Sequence, residues 1–136
     1  MLTVAELLAQ CGLPPLEARM LAARVLEKNS AWLIAHADEA VSAEMEKTFA
    51  ALAARRVRGE PMAYILGERE FYGLEFGLTR AVLIPRPETE LLVELALARI
   101  PQNETARVLD LGTGSGAIAV ALAKERPQAQ LTAVDV

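Results

Sequence analysis

Cysteine and histidine are almost missing from this sequence: Cys11 and His36 are the only ones. One thiol cannot form an internal disulfide, and a lone thiol without a secretion signal points to a reducing cytoplasm. A single histidine excludes a histidine-rich metal site, and no metal is implied. Cys11 reads as a small hydrophobe near a helix end, and His36 as a surface or half-buried helix residue. No apolar run approaches the roughly 20 residues that cross a bilayer. The start, "MLTVAELLAQ", lacks the basic opening of a signal peptide. Basic residues do not dominate either. Fourteen Lys and Arg face eighteen Asp and Glu, a net charge of -4, which argues against broad binding to nucleic acid. What is plentiful is apolar: 53% of 136 residues, enough for a packed core in one domain or two small ones.

Residues 1–60 read as short helices. Thr3 and Glu6 have the spacing of a capping box, with Leu2 and Leu7 at the hydrophobic-staple positions. Gly12 ends that helix. Leu16, Met20, Ala23 and Leu26 recur at helical spacing after Pro14 and Pro15, until Asn29 and Ser30 interrupt them. "SAWLIAHAD" is a short third helix capped by Ser30. Ser42 opens a longer one, striped by Met45, Phe49, Leu52 and Ala53 and closed by Gly59 and Pro61. Arg55, Arg56 and Arg58 crowd its last turn, as a solvated helix end or as a docking patch.

From Met62 the period changes. Phe71, Tyr72, Leu74, Phe76 and Leu78 read as a hairpin turning near Gly73, within a linker over 61–84. "PRPETE" follows, with Pro87 suited to the first position of a helix that carries Leu91, Leu92, Val93, Leu95, Ala96 and Leu97. After the polar "PQNETA" comes strand, glycine loop, helix and strand: Val108 to Leu111, then Ala117 to Glu125, then Leu131 to Val134. Both strands are nearly unbroken apolar runs, the pattern of parallel strands buried on both faces. The fold class is therefore α/β plus all-α. A small helical bundle (1–60) and a hairpin linker precede the first βαβ unit of a Rossmann-like domain (85–136).

The loop "DLGTGSGA" carries the chemistry. Gly112, Gly114 and Gly116 permit a sharp turn and close approach of a ligand. The following helix aims free amides and partial positive charge at the loop. Asp110 ends one strand and Asp135 the next, where a carboxylate can accept from both ribose hydroxyls. Gly112, Gly114 and Ala117 also satisfy the dinucleotide fingerprint G-x-G-x-x-G/A. A pyrophosphate, however, would be repelled by Asp110. S-adenosylmethionine has no phosphate and carries an ammonium and a sulfonium, so an acid beside the glycines favours it.

"GEPMAYILGEREFYGLEFGLTRAVLIPRPETELLVELAL", with "VLDLGTGSGAIAVALA" and "AVDV", resembles the PrmC/HemK-type glutamine methyltransferases along the whole chain. The segment "LIPRPETE" at its distance before "DLGTGSG" is the most specific part. The resemblance implies a helical N-terminal domain that helps recognise the substrate, a hairpin linker and a methyltransferase domain. It implies methylation of the side-chain amide nitrogen of the glutamine in the GGQ loop of bacterial peptide chain release factors. By position, Asp110, Gly112, Thr113, Gly114, Ser115 and Gly116 would hold the cofactor, with Asp135 on its ribose. Arg86, Glu88 and Thr89 would lie near the mouth of the active site, with no individual roles assigned. Helix capping is the competing reading of that segment.

The family's catalytic motif, N-P-P-Y, follows the fourth strand and is not in this sequence, so no catalytic residue is assigned here. The expectation is part of a longer enzyme, itself inactive, monomeric by default, with release factors as partners and neither membrane nor direct nucleic acid involved. The expected reaction is direct displacement at the methyl carbon by an oriented amide nitrogen, without a covalent enzyme intermediate. Three other readings compete. One is a helical protein-binding module with a remnant cofactor fold. The second is an NAD-dependent oxidoreductase. The third is methyl transfer to another protein or to nucleic acid.

Overall fold

The computed structural model describes residues 1–136, which divide into two compact units, Met1–Leu66 and Gly67–Val136. The first contains five helices: α1 (Val4–Gln10), α2 (Pro15–Leu26), α3 (Ser30–Ala35), α4 (Ala43–Val57) and α5 (Met62–Leu66). Thr3 caps α1 in a complete capping box with Glu6. Leu2 and Leu7 both pack into the core, as the staple requires. The α1 amides are further satisfied from the loop after α3: Val4 N–H donates to the Glu39 carbonyl (3.0 Å) and Ala5 N–H to that of Ala37 (2.9 Å). Helix α2 ends with Glu27 in the left-handed region, φ 54°.

Two local expectations change. Asn29, not Ser30, caps α3: its side chain accepts from Trp32 N–H (2.8 Å), and Ser30 is the first helical residue. Asparagine and serine are comparable caps, so the local sequence alone could not separate them. The helical period also continues past Met62, because α5 buries Ala63 and Ile65. Ile65 joins Val4, Leu7, Leu21, Ala22, Leu33, Val41, Phe49 and Ala53 in one core. Tertiary packing thus makes a helix of a segment too short to be one alone.

The arginine run at the end of α4 splits. Arg55 pairs with Glu60 (2.7 Å) and Arg56 with Glu17 on α2 (2.8 Å), each through two hydrogen bonds. Arg58 is exposed and makes no ion pair. Cys11 caps α1, half-buried, its thiol donating to the Leu8 carbonyl (3.1 Å). His36 caps α3 and stacks on Trp32 with ring centres 4.3 Å apart.

The second unit opens with the antiparallel hairpin β1 (Glu68–Phe71) and β2 (Leu74–Gly77). Tyr72 and Gly73 turn it, both at positive φ (51° and 68°), as a two-residue hairpin demands. A 3-10 turn, Pro87–Thr89 with Pro87 first, leads into α6 (Glu90–Leu97). Then come β3 (Arg107–Leu111), α7 (Ala117–Glu125) and β4 (Gln130–Val134). The last two strands pair in parallel, Val108 opposite Leu131 and Leu111 opposite Val134. Phe71, Phe76, Val93, Ala117, Ala121 and Leu122 form the core.

The strands β3 and β4 are not buried on both faces. Val108 and Leu131 turn to the core, but Leu109 is 58% exposed and Leu111 73%. Side chains alternate along a strand, and α7 covers one face of this two-stranded sheet. An unbroken apolar run reports composition, not coverage. Helix α6 likewise buries Val93 and exposes Leu91, Leu92 and Leu95.

Candidate functional site

The loop from Gly112 to Gly116 lies where the C-terminal end of β3 feeds α7, beside the end of β4. In open α/β sheets this edge is where ligands bind. Backbone bonds fix its start: the Gly112 and Thr113 amides both donate to the Val134 carbonyl (2.8 and 3.1 Å). A further bond, from Gly116 N–H to the Thr113 carbonyl (2.9 Å), closes the turn. Gly112, Gly114 and Gly116 have φ of 72°, 57° and 81°. A Cβ at Gly112 or Gly114 would meet nothing within 4 Å. Glycine is therefore required there by the left-handed backbone and not by crowding, and the space beside the loop is open.

Two carboxylates hold the loop. Asp110, half-buried at the end of β3, accepts from the Thr113 hydroxyl (2.8 Å). Asp135, just past β4, accepts from the Gly114 amide and from that of Val136 (2.8 Å). Those two amides, Val136 first, hold the Asp135 carboxyl below the usual carboxylate range. A carboxylate offers about four acceptor positions, so two remain on Asp135 for a ligand. The Gly116 N-cap of α7 supplies no side-chain acceptor, which leaves the helix's first amides directed at the loop.

The structure thus brings together Asp110, Gly112, Thr113, Gly114, Gly116 and Asp135, with Ser115 half-buried among them. Arg86 and Glu88 are exposed and Thr89 half-buried in and beside the 3-10 turn, and no hydrogen bond or ion pair joins them to the loop. The capping reading of that segment gains only Pro87 at the first helical position, since no side chain there caps the turn.

Sequence reasoning missed two residues. Glu90, the last acid of "PRPETE", accepts from Tyr72 N–H (2.9 Å) and so ties the strained hairpin turn to α6. Arg126 donates to the carbonyls of Leu97 (3.0 Å) and Ile100 (2.9 Å), closing the C-terminal end of α6 from the end of α7. A cation after a helix is a signal for that helix's own carbonyls. That Arg126 serves the neighbouring helix is visible only in three dimensions.

Comparison with known proteins follows the same division. Residues 3–67 match the PrmC N-terminal domain, and residues 88–136 match the methyltransferase small domain. The chain is 58% identical over 131 residues to a release factor glutamine methyltransferase of Bordetella pertussis, covering 96% of this chain and 48% of that protein. It is 53% identical over 133 residues to one from Burkholderia pseudomallei (98% and 47%). It is 51% identical over 135 residues to one from Neisseria gonorrhoeae (99% and 49%). The chain spans about half the length of these curated relatives. A stretch similar to the PrmC N-terminal domain is thus followed, in one chain, by a stretch similar to the methyltransferase small domain.

Proposed function

We propose that this chain is the substrate-recognition and cofactor-binding part of an S-adenosylmethionine-dependent methyltransferase. The whole protein acts on the side-chain amide nitrogen of the glutamine in the GGQ loop of peptide chain release factors. The observation that carries the reading is the pair Asp110 and Asp135 converging on an open glycine loop, in a chain whose relatives are named for that reaction. The donor set fits the cofactor. Two carboxylates suit an ammonium, a sulfonium and a ribose diol, and they oppose a pyrophosphate, which disfavours the dinucleotide reading.

Bound at this loop, S-adenosylmethionine supplies a methyl group activated by the adjacent sulfonium. The chain's own residues do the holding. Asp110 fixes Thr113, and the Val134 carbonyl fixes the loop's first two amides. Gly112 to Gly116 cradle the methionine portion, and Asp135 receives the ribose hydroxyls. An amide nitrogen is a weak nucleophile, so orientation supplies much of the rate. Arg86, Glu88 and Thr89 are assigned to the mouth of the site.

Calorimetric titration of the full-length protein tests this. Asp135→Ala should weaken S-adenosylmethionine at least about tenfold, the loss of roughly 1.4 kcal/mol of charge-assisted hydrogen bonding. NAD should not bind. Tight NAD binding, or full-length protein that binds the cofactor but leaves a release-factor glutamine unmethylated, would refute the reading.

A further inference from the structure

Tyr72 stands where its residue type is disfavoured. The first position of this two-residue turn needs a left-handed backbone, which glycine, asparagine or aspartate adopts at least cost, and Tyr72 holds it at φ 51°. A bulky residue keeps such a conformation only where its surroundings impose it, and such positions concentrate at functional sites. The surroundings here are two carboxylates and a core. Glu70, on β1, accepts from the Gly73 amide (2.6 Å), and Glu90 accepts from the Tyr72 amide (2.9 Å). Tyr72 itself packs against the core.

Glu90 differs from Glu70 in what it joins. Glu70 belongs to the hairpin, so its bond is local. Glu90 is the first residue of α6 and follows directly on the Pro87–Thr89 turn, which no side chain caps. At its far end α6 is closed by Arg126, from the end of α7, and between the two ends Val93 shares a core with Ala117 and Ala121 of α7. Helix α6 is thus fixed to the helix that starts at the glycine loop. Glu90 fixes the hairpin to the end of α6 where Arg86, Glu88 and Thr89 stand.

We infer that Glu90 is a positioning residue for the protein substrate: through the Tyr72 amide it sets the direction in which the 86–89 turn meets α6, and with it the side chains of Arg86, Glu88 and Thr89. The inference rests on the methyltransferase reading and on the assignment of those three residues to the mouth of the site. It gives them to the substrate and not to the cofactor. No hydrogen bond or ion pair joins them to the glycine loop, which Asp110, Asp135 and the Val134 carbonyl hold without them. Loss of Glu90 is therefore felt in recognition of the protein substrate and leaves cofactor binding in place.

The test compares Glu90→Ala with the unsubstituted full-length protein. KM for a release factor should rise at least about fivefold, with kcat and the Kd for S-adenosylmethionine each within about twofold. Glu90→Gln, which keeps an acceptor for the Tyr72 amide, should fall between the two. Hydrogen exchange should quicken in peptides covering residues 72–73 and 86–89 and stay unchanged over 110–117. Unaltered KM alongside faster exchange at Tyr72 would make Glu90 a structural brace only and overturn the inference. A matching loss of cofactor affinity would overturn it too, since α6 as a whole would then have moved. Should Glu90→Ala misfold, Glu90→Asp is read by the same split, because it keeps the charge at the helix start and shortens the reach to Tyr72 by one methylene. Unsubstituted full-length protein that methylates no release factor refutes the methyltransferase reading instead. Exchange over 86–89 then decides on Glu90 by itself, and unchanged rates there overturn its positioning role.

Discussion

The two units differ in how completely they bury what their sequences offer. In Met1–Leu66 one core draws side chains from all five helices, and two of its cations are anchored by carboxylates. In Gly67–Val136 the core is smaller, and leucines of α6 and β3 lie open to solvent. Helices connected by short loops meet their partners within a few turns of chain, so a helical unit of this length can close on itself. A parallel strand pair has two faces, and its single crossover helix covers only one. The contrast teaches that an apolar run can enter a sealed core or lie on an open face, depending on how many layers cover it.

The comparison breaks first at Phe49, which is 2% exposed in the centre of the helical core. Phe49→Ala should cost about 3–5 kcal/mol, and Val93→Ala in the second unit roughly 1.5–2.5 kcal/mol. Hydrogen exchange resolved by peptide reads each unit separately. Leu111→Thr, on the open face, should shift neither unit by more than about 0.5 kcal/mol. Equal losses for the first two changes would erase the distinction between the units.

A smaller effect concerns how the second unit is held. Glu90→Gln leaves the hairpin turn with a neutral acceptor for Tyr72, a loss of about 1 kcal/mol. Faster exchange at the Tyr72 amide, with α7 unchanged, is the expected outcome. A variant with unaltered exchange would mean that the turn residues alone fix the hairpin.

The smallest effect is one of pH. The Arg56 guanidinium holds the Glu17 carboxyl below its ordinary value of 4.5, and the Thr3 amide and hydroxyl do the same for Glu6. Both depressed values lie in the folded state. Their stabilisation is therefore fully present above about pH 4.5 and is lost as pH falls through the lowered values. Urea midpoints of the helical unit should decline below pH 4.5, and Glu17→Gln should flatten that decline. An unchanged acid limb in the variant would remove the ion pair from the account.

Much of this was legible in the chain because the signals are local. Thr3 with Glu6, Ser42 before α4, the hairpin turn near Gly73 and the start of α7 at Ala117 each depend on a few residues, and each stands where it was read. The glycine loop was legible for the same reason. Its positive φ values follow from residue type, and its two flanking carboxylates from strand ends. What could not be read depended on neighbours distant in sequence. The helix at Met62–Leu66 exists because Ala63 and Ile65 have a core to enter. The arginine run gave no sign that Arg55 and Arg56 would be paired and Arg58 left free.

The sequence by itself determined the order of elements, the caps and turns that separate them, and a loop whose glycines and acids suit a cationic nucleoside cofactor. These are set by backbone preference and side-chain chemistry over spans of a few residues. Only the tertiary structure decided which apolar faces are covered, which cations are paired, and that Glu90 and Arg126 brace elements far from their own positions. Burial and pairing depend on what the chain brings alongside a residue, and no local pattern contains that.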